Sequence, residues 1–221
     1  MTSRNRTALI VGTLVAVVIV AAVVIALLAG GGGGGDDAAD TVASGTGPGG
    51  IFPGVTITGS PLPEFTQEVA QSGDDPAVGS QVPVLLGFDY DGNAVTIDPA
   101  QDGPTRAVFL AHWCPHCNRE VPLLVDWERS GDVPDGLNVV GVSTDVRSDA
   151  PNYPPDQWLA NEQWPWPVLA DDENSDALAS YGGTSFPLMV FVDGDGTVVR
   201  RISGEYPIEA IQQYADELMA T

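Results

Sequence analysis

Hydrophobic and polar positions change their rhythm along the chain, and each change predicts an element. Ala8 to Ala29, ALIVGTLVAVVIVAAVVIALLA, holds 22 residues without a charge. As a helix rising about 1.5 Å per residue it reaches about 33 Å, enough for a hydrocarbon core of about 30 Å. The next stretch, residues 30–51, is glycine-rich and has almost nothing to bury, so a flexible tether is expected there, with a span of roughly 25 Å. From residue 52 onward apolar runs alternate with helical patterns. Val82–Phe88, Ala94–Ile97, Ala107–Ala111, Leu137–Ser143, Pro167–Ala170, Leu188–Val192 and Val198–Ile202 read as strands. Pro115–Arg129, Asp156–Glu162, Ser175–Tyr181 and Pro207–Met219 read as helices. The order predicts one α/β domain, a mixed central sheet flanked by helices.

Flanking charge orients the apolar stretch. Arg4 and Arg6 precede it and Asp36, Asp37 and Asp40 follow, so residues 1–7 form a cytoplasmic tail and residues 52–221 an extracytoplasmic domain. A cleaved signal peptide has an apolar region of only about 7 to 15 residues, and Leu27 is a poor match at the −3 position of a cut after Ala29. The expectation is a single-pass cell-membrane protein anchored through residues 8–29. Eight basic against 30 acidic residues, a formal net charge of −22, exclude a phosphate backbone as partner. The acidic turns DYDGN (89–93) and DGDG (193–196) read as hairpin turns, because the first lacks the EF-hand spacing.

Candidate chemistry sits in AHWCPHCNRE, residues 111–120, which contain both cysteines and both histidines of the chain. A disulfide closing so short a loop stabilises little, roughly 2 kcal/mol. Metal binding would need His112, Cys114, His116 and Cys117 to converge from a strand end and a helix start, with no second ligand pair elsewhere. A redox pair fits the local pattern. Pro115 suits the first turn of a helix, which puts Cys114 at its N-cap, where free N–H groups and the helix dipole favour a thiolate. Cys117 follows one turn later on the same face. Cys114 is then the nucleophile and Cys117 the resolving thiol, with no cofactor required.

W-C-P-H-C followed by N-R-E-V-P resembles the W-C-x-x-C-x-x-E-x-P pattern of thioredoxin-fold proteins, particularly the TlpA-like membrane-anchored thiol:disulfide oxidoreductases. The resemblance covers about residues 75–221 and implies a thioredoxin-like fold, in which Pro122 matches the proline that kinks the active-site helix. Pro187 falls where that family carries a cis-proline facing the redox pair, so Phe186 and Pro187 become candidate substrate contacts, with Trp113 as support. Protein thiols and disulfides are the implied substrates, together with a membrane or extracytoplasmic redox partner. Val108 stands where many thioredoxins have a buried acid, and Glu120 and Asp126 lie on the helix at positions expected to face solvent. The dipeptide Pro115-His116 resembles that of the oxidant DsbA and is expected to tune the potential, whereas the overall pattern points to a reductase. Peroxiredoxins carry P-x-x-x-T-x-x-C, and residues 107–114 lack both the Pro and the Thr. A copper- or zinc-binding thioredoxin-fold carrier is the alternative from another class. The run containing Trp158, Trp164 and Trp166 is expected to form core rather than a substrate rim, and His112 is unassigned.

Overall fold

The computed structural model describes residues 44–47 and 50–221; the expected anchor at 8–29 and most of the expected tether lie outside them. Among the described residues no helix is long and apolar enough to cross a membrane. Ser44–Gly47 (β1) pairs antiparallel with Gly50–Pro53 (β2), so a short ladder occupies part of the stretch read as tether. Thr56–Thr58 (β3) and the helix Gln67–Ser72 (α1) follow. Neither stands out in the sequence: one is three residues long, and the other buries no residue.

Val84–Phe88 (β4) and Ala94–Ile97 (β5) form a hairpin, and Pro99–Asp102 (α2) leads into Thr105–Leu110 (β6). Pro115–Ser130 (α3) crosses to Asn138–Ser143 (β7), which pairs parallel to β6. Pro155–Asn161 (α4), Val168–Ala170 (β8) and Asp176–Ser180 (α5) follow, then the antiparallel pair Leu188–Val192 (β9) and Val198–Ser203 (β10), and finally Ile208–Met219 (α6). The large sheet runs β10-β9-β6-β7-β8-β4-β3, with β5 paired to β4. It is mixed: β6, β7 and β8 are parallel, while β9 and β4 join antiparallel. The eleven strands and helices expected after residue 82 all form, with ends within two residues of the sequence reading.

β6 lies between β9 and β7 and is buried along its whole length, which is why it reads as an unbroken apolar run rather than an alternation. Its residues still alternate between two cores. Val108 and Leu110 pack with Val121, Leu124, Trp158, Ile211 and Leu218 beneath α3 and α6. Ala107 and Phe109 pack on the other face with Leu62, Phe65, Val142, Tyr181 and Val190. Trp158 is buried, and Trp164 and Trp166 are half-buried against the first core, so the tryptophan run is core.

Strand β6 begins at Thr105 and therefore includes Arg106, which the apolar pattern had left outside. Arg106 is fully buried, and its guanidinium carbon lies 4.5 Å from the Trp127 ring centre and 5.7 Å from that of Trp166. Two indole faces take the place of counter-ions around this charge. Burial lowers its pKa to about 9, opposed by the negative charge of Glu120 and Glu128.

The two acidic turns are closed by their own aspartates. Asp89 accepts the N–H groups of Asp91 and Asn93, and Asp193 those of Asp195 and Thr197. Gly92 and Gly196 take the positive φ angles, 85° and 83°, that such turns require.

Candidate active site

The site is assembled where β6 ends and α3 begins. Cys114 is the N-cap of α3 with an extended backbone, φ −72° and ψ 121°, and Pro115 is the first helical residue. The two cysteines are unbridged and buried, Cys117 one turn along the helix from Cys114. The Cys114 thiol is held well below its ordinary value, at about 6, first by the hydrogen bond from Cys117 and then by the backbone N–H groups of Cys117 and His116 and the charge of His116. Burial works against this shift and loses. Cys117 moves the other way: its thiol is driven far up because it donates to Cys114 and is itself buried. The two sulfurs thus differ sharply in acidity, Cys114 favouring the thiolate and Cys117 keeping its proton.

The loop before β9 closes the site. Phe186-Pro187 is a cis peptide, and the Phe186 carbonyl lies 3.8 Å from Cys114 Sγ. The Phe186 ring is half-buried and meets Trp113 edge-on, their centres 6.0 Å apart. Phe186 therefore packs into the core while turning its carbonyl to Cys114. Trp113 donates its indole N–H to the Asp145 carbonyl at 2.8 Å, and the Arg147 guanidinium covers its ring at 3.9 Å. Pro122 lies inside α3 and removes the N–H that would have served the Asn118 carbonyl.

His112 does not join the pair as a ligand. Its ring is wholly buried; Nδ1 lies 2.7 Å from the Pro151 carbonyl, and Nε2 accepts the Arg147 N–H at 3.1 Å. A carbonyl only accepts and a backbone N–H only donates, so the proton is on Nδ1 and both nitrogens are occupied. Asn118 and Asn152 complete the tie: both donate to the His112 carbonyl, and Asn152 also donates to Asn118 Oδ1. His112 thus pins residues 147–151 against the helix start. Replacing His112 with alanine is expected to cost about 1–3 kcal/mol by orphaning these backbone groups. It should also admit protease between residues 145 and 152, both measurable by thermal melting and limited proteolysis.

Glu120 corrects the sequence reading. It was expected to face solvent with Asp126; Asp126 does, but Glu120 is completely buried. The turn after β10 and the first core roof this face of α3, so the helix has no solvent side at that position. Glu120 Oε2 accepts the Tyr206 N–H at 3.3 Å, and burial raises the carboxyl to about 7. The buried acid thus lies on α3, one helical turn beyond Cys117, while Val108 on β6 is core.

His116 is on the outer surface. Its Nδ1 lies 2.5 Å from Glu205 Oε1, and Arg119 reaches the same carboxylate at 2.6 and 3.0 Å. Glu205 is held at about 2 by its bonds to Arg119 and His116. Nothing local could have identified it, since 89 positions separate it from His116. Among the described residues no group of three or more His, Cys, Asp or Glu could hold a metal ion.

The profile of the AhpC/TSA family matches residues 60–201, more than half of the chain. A curated relative, the thiol:disulfide interchange protein HelX of Rhodobacter capsulatus, is 29% identical over 122 residues, 54% of this chain and 64% of that protein. The chain thus spans slightly under two thirds of that relative's length. Solved structures share the fold, two of them as follows. The thioredoxin domain of a thiol-disulfide oxidoreductase from Bacteroides vulgatus superposes with TM-score 0.52 at 24% identity, covering 64% of this chain and 96% of that one. A thiol:disulfide interchange protein from Chlorobium tepidum gives 0.53 at 20%, covering 64% and 97%.

Proposed function

This chain belongs to the AhpC/TSA family, its fold is thioredoxin-like, and on that premise we propose that it is a thiol:disulfide oxidoreductase working through Cys114 and Cys117. The observation that carries the reading is the opposed pair at the start of α3. Cys114 is a stabilised thiolate beside the cis-proline loop, and Cys117 is a buried thiol hydrogen-bonded to it. Residues 107–114 lack the Pro and Thr of a peroxidatic context, and the second cysteine is one turn away, which favours exchange over peroxide reduction.

In the reducing direction, the Cys114 thiolate attacks one sulfur of a substrate disulfide. A mixed disulfide forms, and the other substrate sulfur leaves as a thiolate that takes up a proton. Cys117 then loses its proton and attacks Cys114 Sγ, which closes the protein disulfide and releases the second substrate thiol. Two electrons pass from the dithiol to the substrate, and oxidation of a substrate dithiol is the reverse. Glu120 is one helical turn beyond Cys117 on the same face, and its carboxyl, raised to about 7, is the acceptor for the Cys117 proton. The edge formed by Trp113, Phe186 and Pro187 receives the substrate backbone beside Cys114.

The reading extends to an extracytoplasmic domain tethered through residues 8–29, supported by the uncharged apolar stretch and its flanking charges. A stabilised thiolate makes the disulfide more oxidising than that of an ordinary dithiol. Its potential is expected between that of thioredoxin, about −270 mV, and that of DsbA, about −120 mV, so the redox partner sets the direction. Replacing Cys117 with alanine is expected to trap substrate proteins on Cys114 as mixed disulfides, visible on non-reducing gels and released by dithiothreitol. If nothing is captured from cells in either redox state, the exchange function fails.

A further inference from the structure

The turn between β10 and α6 makes contacts to three separate parts of the site. Gly204 N–H donates to the Pro187 carbonyl at 2.9 Å, on the cis-proline loop. Tyr206 N–H donates to Glu120, the buried acid. Between them Glu205 reaches outward to His116 and Arg119. One carboxylate is therefore seated on the same turn that supports both the substrate loop and the buried acid.

The geometry of that carboxylate bears on which ring nitrogen carries a hydrogen. Glu205 is ionised and can only accept, so the 2.5 Å contact places a hydrogen on His116 Nδ1. Arg119 Nη2 lies 3.1 Å from the same Nδ1, a close approach of two donors that converge on Oε1. With His116 protonated, the trio carries one net positive charge; with His116 neutral it carries none. The charge of the ring acts on both of its neighbours, lowering the Cys114 thiol and the Glu205 carboxyl.

Other groups around Cys114 do not duplicate this role. Cys117 donates a neutral hydrogen bond, and Arg119, on the same helix and paired with Glu205, adds a charge that does not switch. Glu120 is buried deeper; the Phe186 carbonyl is uncharged; the Arg147–Asp145 pair covers Trp113 and cancels itself. His116 is the side chain whose charge acts directly to lower the Cys114 thiol.

We infer that Glu205 is a positioning residue for the nucleophile: it holds His116 through Nδ1 and keeps the imidazolium beside Cys114. The inference rests on the thiol-exchange reading for its purpose, but the contact can be tested without substrate. The side chains of His116 and Glu205 are 57% and 39% exposed, so solvent screens the effect and keeps it modest.

The test is an ultraviolet titration of the Cys114 thiolate in the reduced full-length chain. Glu205→Gln keeps the shape and an acceptor oxygen but removes the charge. It is expected to raise the apparent pKa of Cys114 and to lower the thiolate-to-thiol ratio near pH 6 by about two- to fivefold, with a parallel move to a less oxidising disulfide. Glu205→Asp, one methylene shorter, should fall between the two, and serves also if the glutamine variant does not fold. In a His116→Ala background Glu205→Gln is expected to cause no rise, because the ring it held is gone. A rise that persists in that background, or no rise in the single variant, overturns the inference. If Glu205→Gln shifts the titration while Cys117→Ala captures no substrate, the positioning role stands and only the exchange function falls.

Discussion

Replacing Arg201 with methionine is expected to lower the thermal midpoint of the folded domain by about 6–20 °C. Arg201 is the deepest ion pair among the described residues: its side chain is 0% exposed, and that of its partner Asp75 is 10% exposed. It donates Nε and Nη2 to Asp75 at 2.9 and 2.5 Å and Nη1 to the carbonyls of Pro63 and Tyr181 at 2.8 and 3.0 Å. The guanidinium also faces the Phe65 ring at 5.0 Å. One side chain on β10 thereby pins residues 63–75 and the end of α5 to the sheet. A Cβ on Gly182, beside the pin, would collide with the Pro63 carbonyl, and its φ of +70° is the conformation glycine tolerates. Methionine fills similar volume but strands a buried carboxylate and two carbonyls. Breaking a buried pair from one side costs about 3–5 kcal/mol, and each kcal/mol moves the midpoint of a domain this size by about 2–4 °C. Circular dichroism melts of wild type and Arg201→Met decide the matter; a change under about 2 °C would show that the pair only balances its own desolvation.

The second large effect is expected at Glu120. Its carboxyl is raised from the ordinary 4.5 to about 7 by burial, so the folded state holds the proton more tightly than the unfolded chain does. Between those two values folding takes up a proton, and stability falls as pH rises through the window, by about 3 kcal/mol at most above pH 7. Glu120→Gln keeps an oxygen for the Tyr206 N–H and removes the titration. Its stability is therefore expected to lose that slope, with the variant gaining on wild type as pH rises from 5 to 8, measurable by urea unfolding at several pH values. The same variant is expected to slow the closing of the Cys114–Cys117 disulfide from a mixed disulfide by about 10²-fold or more above pH 7, because the proton on Cys117 loses its acceptor. Stopped-flow release of a model peptide would read this rate. An unchanged rate with a flattened stability slope would remove Glu120 from the proton path while leaving it as a buried acid.

The placement of the cysteine pair at a helix start was legible for local reasons. Cys114 and Cys117 declare their spacing, Pro115 declares the helix start, and an apolar strand before it declares where the helix is fed from. Hydrophobic period located the elements after residue 82 because each buries a stripe or a face. Before that point β3 and α1 are short and weakly buried, and they leave little pattern to read. Glu120 was misplaced because a carboxylate on a helix is ordinarily a solvent residue, and its burial depends on a turn 86 positions away. Arg106 was left out of β6 for the same reason, and its burial depends on two tryptophans from α3 and the segment before β8.

What the sequence determined by itself is the set of properties that nearest neighbours control: the helix that caps Cys114, the alternation that makes the sheet, and the uncharged apolar stretch near the N-terminus. What only the tertiary structure decided is which charged and polar groups leave water. His112 became a buried neutral tie, Glu120 a buried acid and Arg106 a guanidinium between indoles, while Glu205 reached His116 across 89 positions. The division follows from range. Backbone preference and hydrophobic period are set within a few residues, whereas the charge state of a side chain depends on solvent and partners that distant segments supply only when the chain is folded.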